Sequence, residues 1–169
     1  VDGIRALIPF DRIAIGAVDE EGGTFTEEYA SGLEIEGRIT GEPQPIADTV
    51  TSAALSGRSA VLEKNEHSEV ILEQYPGTRA ALKAGIRSFI AVLLRDEERV
   101  VAALVGESFE HDSHSDHHVR IAERVGPRIL GAYTNSHRFV AAEREARENS
   151  ALAEIGRHVA GLRDLSDLK

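Results

Sequence analysis

The chain contains no cysteine, methionine or tryptophan. Without cysteine there is no disulfide, no thiolate nucleophile, no Cys-ligated zinc or iron–sulfur cluster, and no thioether attachment of a chromophore. No apolar run approaches the roughly 18–20 residues that a membrane span requires. The N-terminus lacks the basic-then-apolar layout of a secretory signal. A cytoplasmic location with no membrane in this segment is therefore expected. Basic residues are outnumbered, 19 Lys and Arg against 29 Asp and Glu, for a net charge of −10. Such a surface repels phosphate backbones and anionic lipid, and no sustained basic run offsets it, so no nucleic-acid binding is expected. There is also no Gly-rich phosphate cradle, no G-x-S-x-G elbow and no carboxylate pair set apart by apolar neighbours. No enzymatic chemistry is indicated. The lack of even an initiating methionine fits an excerpt from a longer polypeptide.

What is present is one domain's worth of chain, 169 residues, with an appended element. Residues 1–9 carry Val1, Ile4, Leu7 and Ile8 at helical spacing, stopped by Pro9. FDRIAIGAVD at 10–19 alternates, Glu20–Gly23 forms a turn, and TFTEEYASG at 24–32 returns as a second strand. Residues 32–45 read as a loop and 46–57 as a helix ended by Gly57. SAVLE at 59–63 reads as a strand and 78–85 as a short helix. The strongest β signal is 86–109, where two runs apolar on both faces flank Asp96-Glu97-Glu98, which predicts strands covered on both sides. From Ser115 the pattern is helical to the end. Val119, Ile121, Ala122, Val125, Ile129 and Leu130 form its first apolar stripe, and Leu152, Ile155, Val159 and Leu162 repeat with the 3–4–3 spacing of a coiled-coil seam. A second copy of the chain is the simplest partner for that seam.

IPFDRIAIGAVDEE at 8–21, SGRSAVLE at 56–63, YPGTRAALKAGIRSFIAVLLRDEERVVAALV at 75–105 and the helix from 116 together resemble a GAF domain, over most of residues 4–138. The segment 145–168 looks like a signalling helix leading into another module. The resemblance implies an α+β fold. Its central antiparallel sheet would have five or six strands, with the terminal helices on one face and a small-molecule pocket on the other, roofed by about 62–84. It further implies a sensory domain, 1–138, and a signalling helix, 139–169, coupled to an output module such as a histidine kinase of a two-component system. The rival implications are a ligand-free dimerisation spacer and the effector-binding domain of a transcription regulator. The family's bilin-binding members attach the pigment through cysteine and its sulfoxide reductases need reactive cysteine, so neither chemistry carries over. The Asn-Lys…Phe…Asp-Glu signature of its cyclic-nucleotide-binding members is not reproduced: Lys64-Asn65 is reversed, and Phe109 lacks the acidic pair at the required spacing. No cofactor is identifiable.

Candidate ligand contacts follow from position. Tyr75 and Arg79 lie in the roofing segment, one able to stack and donate, the other to clamp an anion. On the strand, Ile86, Ser88, Ile90 and Val92 share one face, and Arg87, Phe89, Ala91 and Leu93 the other. Ser88, Arg87 and Phe89 are thus candidates, and alternation alone leaves open which face meets the ligand. His114 and His118, four apart in HDSHSDHH, are weak metal-ligand candidates, weighed against a solvated loop capped by Ser115. His158 lacks the acidic neighbour expected of a phospho-accepting histidine and reads as a helix-surface residue.

Overall fold

Side chains of a strand alternate between its two faces, so Ile13 and Ile15 go one way while Arg12, Ala14, Gly16 and Val18 go the other. In a computed structural model that describes residues 2–57, 59–63 and 68–166, with the side chains of 3–57 and 70–152, this segment is β1 (Arg12–Asp19). It returns antiparallel as β2 (Thr24–Gly32), with a bulge between Ile15 and Gly16, through a turn in which the backbone N–H of Gly22 donates to the Asp19 carboxylate at 2.9 Å. The run apolar on both faces becomes β5 (Ser88–Asp96) and β6 (Arg99–Ser108), and every residue from Ser88 to Leu94 is buried. With β3 (Pro43–Pro45) and β4 (Ser59–Glu63) these strands form one antiparallel sheet of order β3-β2-β1-β6-β5-β4. β3 falls where a loop was expected. Two of its three residues are prolines, which a sheet accepts at an edge because an edge strand need not donate on its outer side.

One face of the sheet packs against the N-terminal segment and the first part of the last helix. Helix α1 (Asp2–Arg5) leads into Ile8, which packs with Ile90, Val92 and Ala122, and Phe10 joins Ile13 and Leu104. Ala122 and the half-buried Val119, Ile121 and Ile129 belong to α5 (Asp116–Ser166), so the predicted stripe is the one that meets the sheet. The other face is covered by short elements: α2 (Val50–Leu55), α3 (Ser68–Gln74), a 3-10 turn at Pro76–Thr78 and α4 (Arg79–Lys83). Helix α2 opens with a reciprocal cap between Thr49 and Ser52, which satisfies backbone donors at its start. Val50, Ala54, Ile71, Ala81 and Leu82 from these elements meet Phe89, Ala91, Leu93, Ala103 and Val105 of the sheet. α3 was not anticipated from the sequence.

Residues 1–130 form one compact unit and residues 131–169 another, the division falling inside α5. In the second unit Phe139, Val140 and Leu152 are exposed, and Arg144–Glu148 and Arg147–Glu143 pair along the helix surface at 3.0 and 3.6 Å. Leu152 of the expected seam is thus open to contact, while the side chains of Ile155, Val159 and Leu162 lie outside the described residues. Among the described residues no helix is long and apolar enough to cross a membrane.

Candidate functional site

The face covered by short elements does not close completely. A cavity of about 240 Å3 lies between the sheet and its roof. Its floor is made by small residues between two aromatic ones: Phe25 on β2, Ala14 on β1, Val105 on β6 and Phe89 on β5. Beside it, Gly16 leaves no room for a side chain, since a Cβ there would collide with the Thr26 carbonyl oxygen and meet the Phe25 ring at 2.7 Å. The walls are Ala47, Thr49, Val50 and Thr51 on one side, Gly77, Thr78 and Ala80 on another, and the loop Glu36–Ile39 with Gln44 and Pro45 on a third. The roof is tied together by its backbone: Gly77 N–H donates to Asp48 C=O at 2.9 Å, and Gly41 N–H to Glu27 C=O at 2.7 Å. Ile35, buried in the core, anchors the loop that carries Arg38.

At one end of this face sits a buried network of alternating charge. Arg12 Nη2 donates to both oxygens of Glu27 at 2.6 Å, and its Nη1 donates to Glu107 Oε2 at 3.0 Å. Arg38 Nη1 donates to the other Glu107 oxygen at 2.8 Å. Glu107 is fully buried, Arg12 and Glu27 nearly so, whereas the Arg38 side chain keeps 25% of its exposure. Burial opposes the charge on Arg12, but Glu107 and Glu27 outweigh it and raise its pKa above the ordinary arginine value. The strands explain the meeting: Arg12 pairs with Glu107 across β1 and β6 in register, and Glu27 pairs with Gly16 on the neighbouring strand. The Nε–H of Arg12 has no hydrogen-bond partner among the described residues. Glu27 and Arg38 line the cavity, and together with Arg12 and Glu36 they also line an adjoining polar crevice.

The candidates read from the sequence fall on both sides of the sheet. Phe89 lines the cavity. Ser88 faces the terminal helices instead, where its hydroxyl lies 2.8 Å from His114 Nδ1. Arg87 is spent on the backbone, donating to the carbonyls of Leu82 and Ile86 at 3.0 and 2.8 Å. Tyr75 packs against the apolar core beside the cavity, and Arg79 is exposed; neither is among the lining residues, although Gly77, Thr78 and Ala80 around them are. Among the described residues of the expected roof, 62–84, only Gly77, Thr78 and Ala80 line the cavity, and most of its wall comes instead from residues 36–51. Arg12, Glu27 and Glu107 were missed, since they lie 15 and 95 residues apart in the chain.

His114 has both ring nitrogens engaged within the protein. It precedes α5 and is fully buried, with Nε2 2.8 Å from the Pro9 carbonyl. A carbonyl only accepts, so Nε2 carries the proton and Nδ1 accepts from Ser88. Desolvation lowers the pKa of this ring to about 4 against the pull of the Pro9 hydrogen bond, keeping it neutral. His118 meets the His114 ring edge to face, with centroids 6.5 Å apart; its Nδ1 lies 3.2 Å from the Ser115 hydroxyl, and its pKa is lowered by partial burial and by His117. Among the described residues no group of three or more His, Cys, Asp or Glu side chains is arranged to hold a metal ion.

Comparison with known proteins agrees with the architecture. The family model described as GAF domain matches residues 1–132. No curated protein matches. Among solved structures, the chain is similar to the GAF domain of a two-component sensor histidine kinase from Bacillus halodurans, with TM-score 0.63 and 14% identity over 82% of this chain and 90% of that one. It is also similar to the phycocyanobilin-bound GAF domain of a cyanobacterial phytochrome, with TM-score 0.57 and 15% identity over 80% of each chain. A third similar structure is free methionine-R-sulfoxide reductase from Neisseria meningitidis in complex with its substrate, with TM-score 0.56 and 15% identity over 74% of this chain and 68% of that one. At these identities the likeness speaks for the fold alone.

Proposed function

The chain belongs to the GAF domain family, a signalling and sensory module, and from that membership we propose that it is a regulatory small-molecule sensor within a cytoplasmic signal-transduction protein. The cavity between sheet and roof carries this reading, being apolar along its floor and polar at one end, the usual make-up of a small-molecule site. At about 240 Å3 it falls below the roughly 300–1,000 Å3 of drug-sized sites, which restricts it to a small occupant. Occupation shifts the strands whose opposite faces hold α1 and α5, and α5 carries the shift towards a covalently linked output module. The exposed Leu152, followed by Ile155, Val159 and Leu162, forms the seam of a homodimer in this scheme. The module regulates and does not catalyse. A dimerisation spacer, the rival reading, calls for a roof packed down onto the sheet, and the open cavity weighs against it.

Native mass spectrometry of the gently purified chain tests both parts. A dimer carrying a discrete extra mass is the expected result. A dimer with no adduct favours the spacer, and a bare monomer removes the helix as a seam in this chain.

A further inference from the structure

Two guanidinium groups and two carboxylates meet at the polar end of the cavity face, in the order Glu27, Arg12, Glu107, Arg38. Their charges cancel. A ligand bearing one net charge would leave a buried charge uncompensated there, which is costly in a desolvated site. A neutral apolar ligand would leave the polar end unused. Glu27 and Arg38, the two members of the network that line the cavity, are of opposite sign, and the third charged lining residue, Glu36, is exposed to solvent, which screens it. Arg38 spends one N–H on Glu107, and a guanidinium has five. The Nε–H of Arg12 is buried without a partner, and Arg12 lines the adjoining crevice together with Glu27 and Arg38. The carboxylate of Glu27 takes both its hydrogen bonds from one Arg12 nitrogen, and each carboxylate oxygen can accept more than one.

The geometry points to a small zwitterion with an apolar tail, the chemistry of a free α-amino acid with an aliphatic or aromatic side chain. Its ammonium group sits against Glu27 and its carboxylate against Arg38. Its side chain lies over Ala14 and Val105, between Phe25 and Phe89. The assignment rests on the reading of the cavity as a ligand site and narrows it to one class. Arg38 has a second part in this scheme: it is the half-exposed partner of a fully buried carboxylate, so engaging a ligand carboxylate also fixes the loop that carries it.

Calorimetric titration of the 169-residue chain with matched triples tests it: L-leucine against 3-methylbutylamine and 4-methylpentanoate, and L-phenylalanine against phenethylamine and 3-phenylpropanoate. At least one amino acid is expected to bind about tenfold or more tightly than both of its truncated partners. In Arg38→Gln that preference over the amine is expected to fall to near equality, while binding of the amine itself is little changed. An amine or an acid that binds as tightly as its amino acid overturns the assignment, and so does an absence of binding by every amino acid at millimolar concentration. The broader ligand-site reading is decided separately, by whether any adduct accompanies the chain in the mass spectrum. If Arg38→Gln does not fold, the triples on the unaltered chain still decide the matter.

Discussion

The two faces of the sheet are built from alternate residues of the same strands, yet they solve opposite problems. On the face that meets α1 and α5, Ile13, Ile90, Val92 and Leu104 are packed by regular helices, and the one buried polar side chain of α5's approach, His114, is neutral with both ring nitrogens engaged. On the other face the small Ala14 leaves depth, short elements make the cover, and four alternating charges meet, three of them buried. The difference shows how one sheet can be both fixed and receptive. A close-packed face transmits displacement because interiors are nearly incompressible. A face with a void can accept an occupant without first expelling a side chain.

The sharpest way to break this contrast is to unbalance the charges. Glu107→Ala leaves Arg38 without its carboxylate and Arg12 with Glu27 alone, so a loss of about 3–5 kcal/mol is expected in urea denaturation. A loss under about 1 kcal/mol would show that the network is solvated and not a buried unit.

The helix face has its own charge test. His114 has a folded pKa of about 4 against an ordinary value of 6.5. The unfolded chain therefore takes up a proton first as pH falls, and stability is full above pH 6.5 and lost progressively towards pH 4. The loss from this group is about 3 kcal/mol, flattening below pH 4. His114→Gln should be less stable at pH 8 and shallower across that window. An unchanged slope would place the titration elsewhere.

Smaller still is the effect of adding carbon to each face. Ala122 and Ala14 are both buried, the first under α5 and the second at the cavity. Ala122→Leu is expected to cost about 1–3 kcal/mol through overpacking, and Ala14→Leu less than about 1 kcal/mol because its new atoms enter the void. Equal costs would mean that the cavity is not available space. Least disruptive are the exposed positions. Arg79→Ala and Leu152→Asp should each shift stability by no more than about 0.5 kcal/mol. If the chain dimerises as proposed, Leu152→Asp combined with Ile155→Asp should nonetheless leave it monomeric in sedimentation. A dimer that survives both changes does not use this seam.

The fixed face was the legible one. Ile13, Ile90 and Leu104 sit in strands with clean alternation or two-sided apolarity, and Val119, Ile121, Ala122 and Ile129 keep helical spacing, so period alone identifies them. The receptive face hides because its cover is short and irregular. A three-residue strand of Pro-Gln-Pro and a seven-residue helix, SEVILEQ, are too brief for a period to declare itself. The charge network left one readable sign: Arg12 shares the inward parity of Ala14 and Val18, and Glu107 that of Ala103 and Val105, so charges of opposite sign stand at core positions of two strands. His114 was misread for a different reason. The helix start expected at Ser115 agrees with α5 beginning at Asp116, but spacing says nothing of burial, and the histidine just before the helix turns into the core.

Whether the two faces communicate is answered most directly by hydrogen exchange on the unaltered chain and on Ala14→Leu, which places carbon in the cavity on the face away from α1 and α5. Altered protection is expected both in the roof, residues 33–49 and 76–80, and across the sheet in residues 116–130 of α5. A change confined to the roof, with α5 untouched, would contradict transmission through the sheet and leave a cavity that signals nothing.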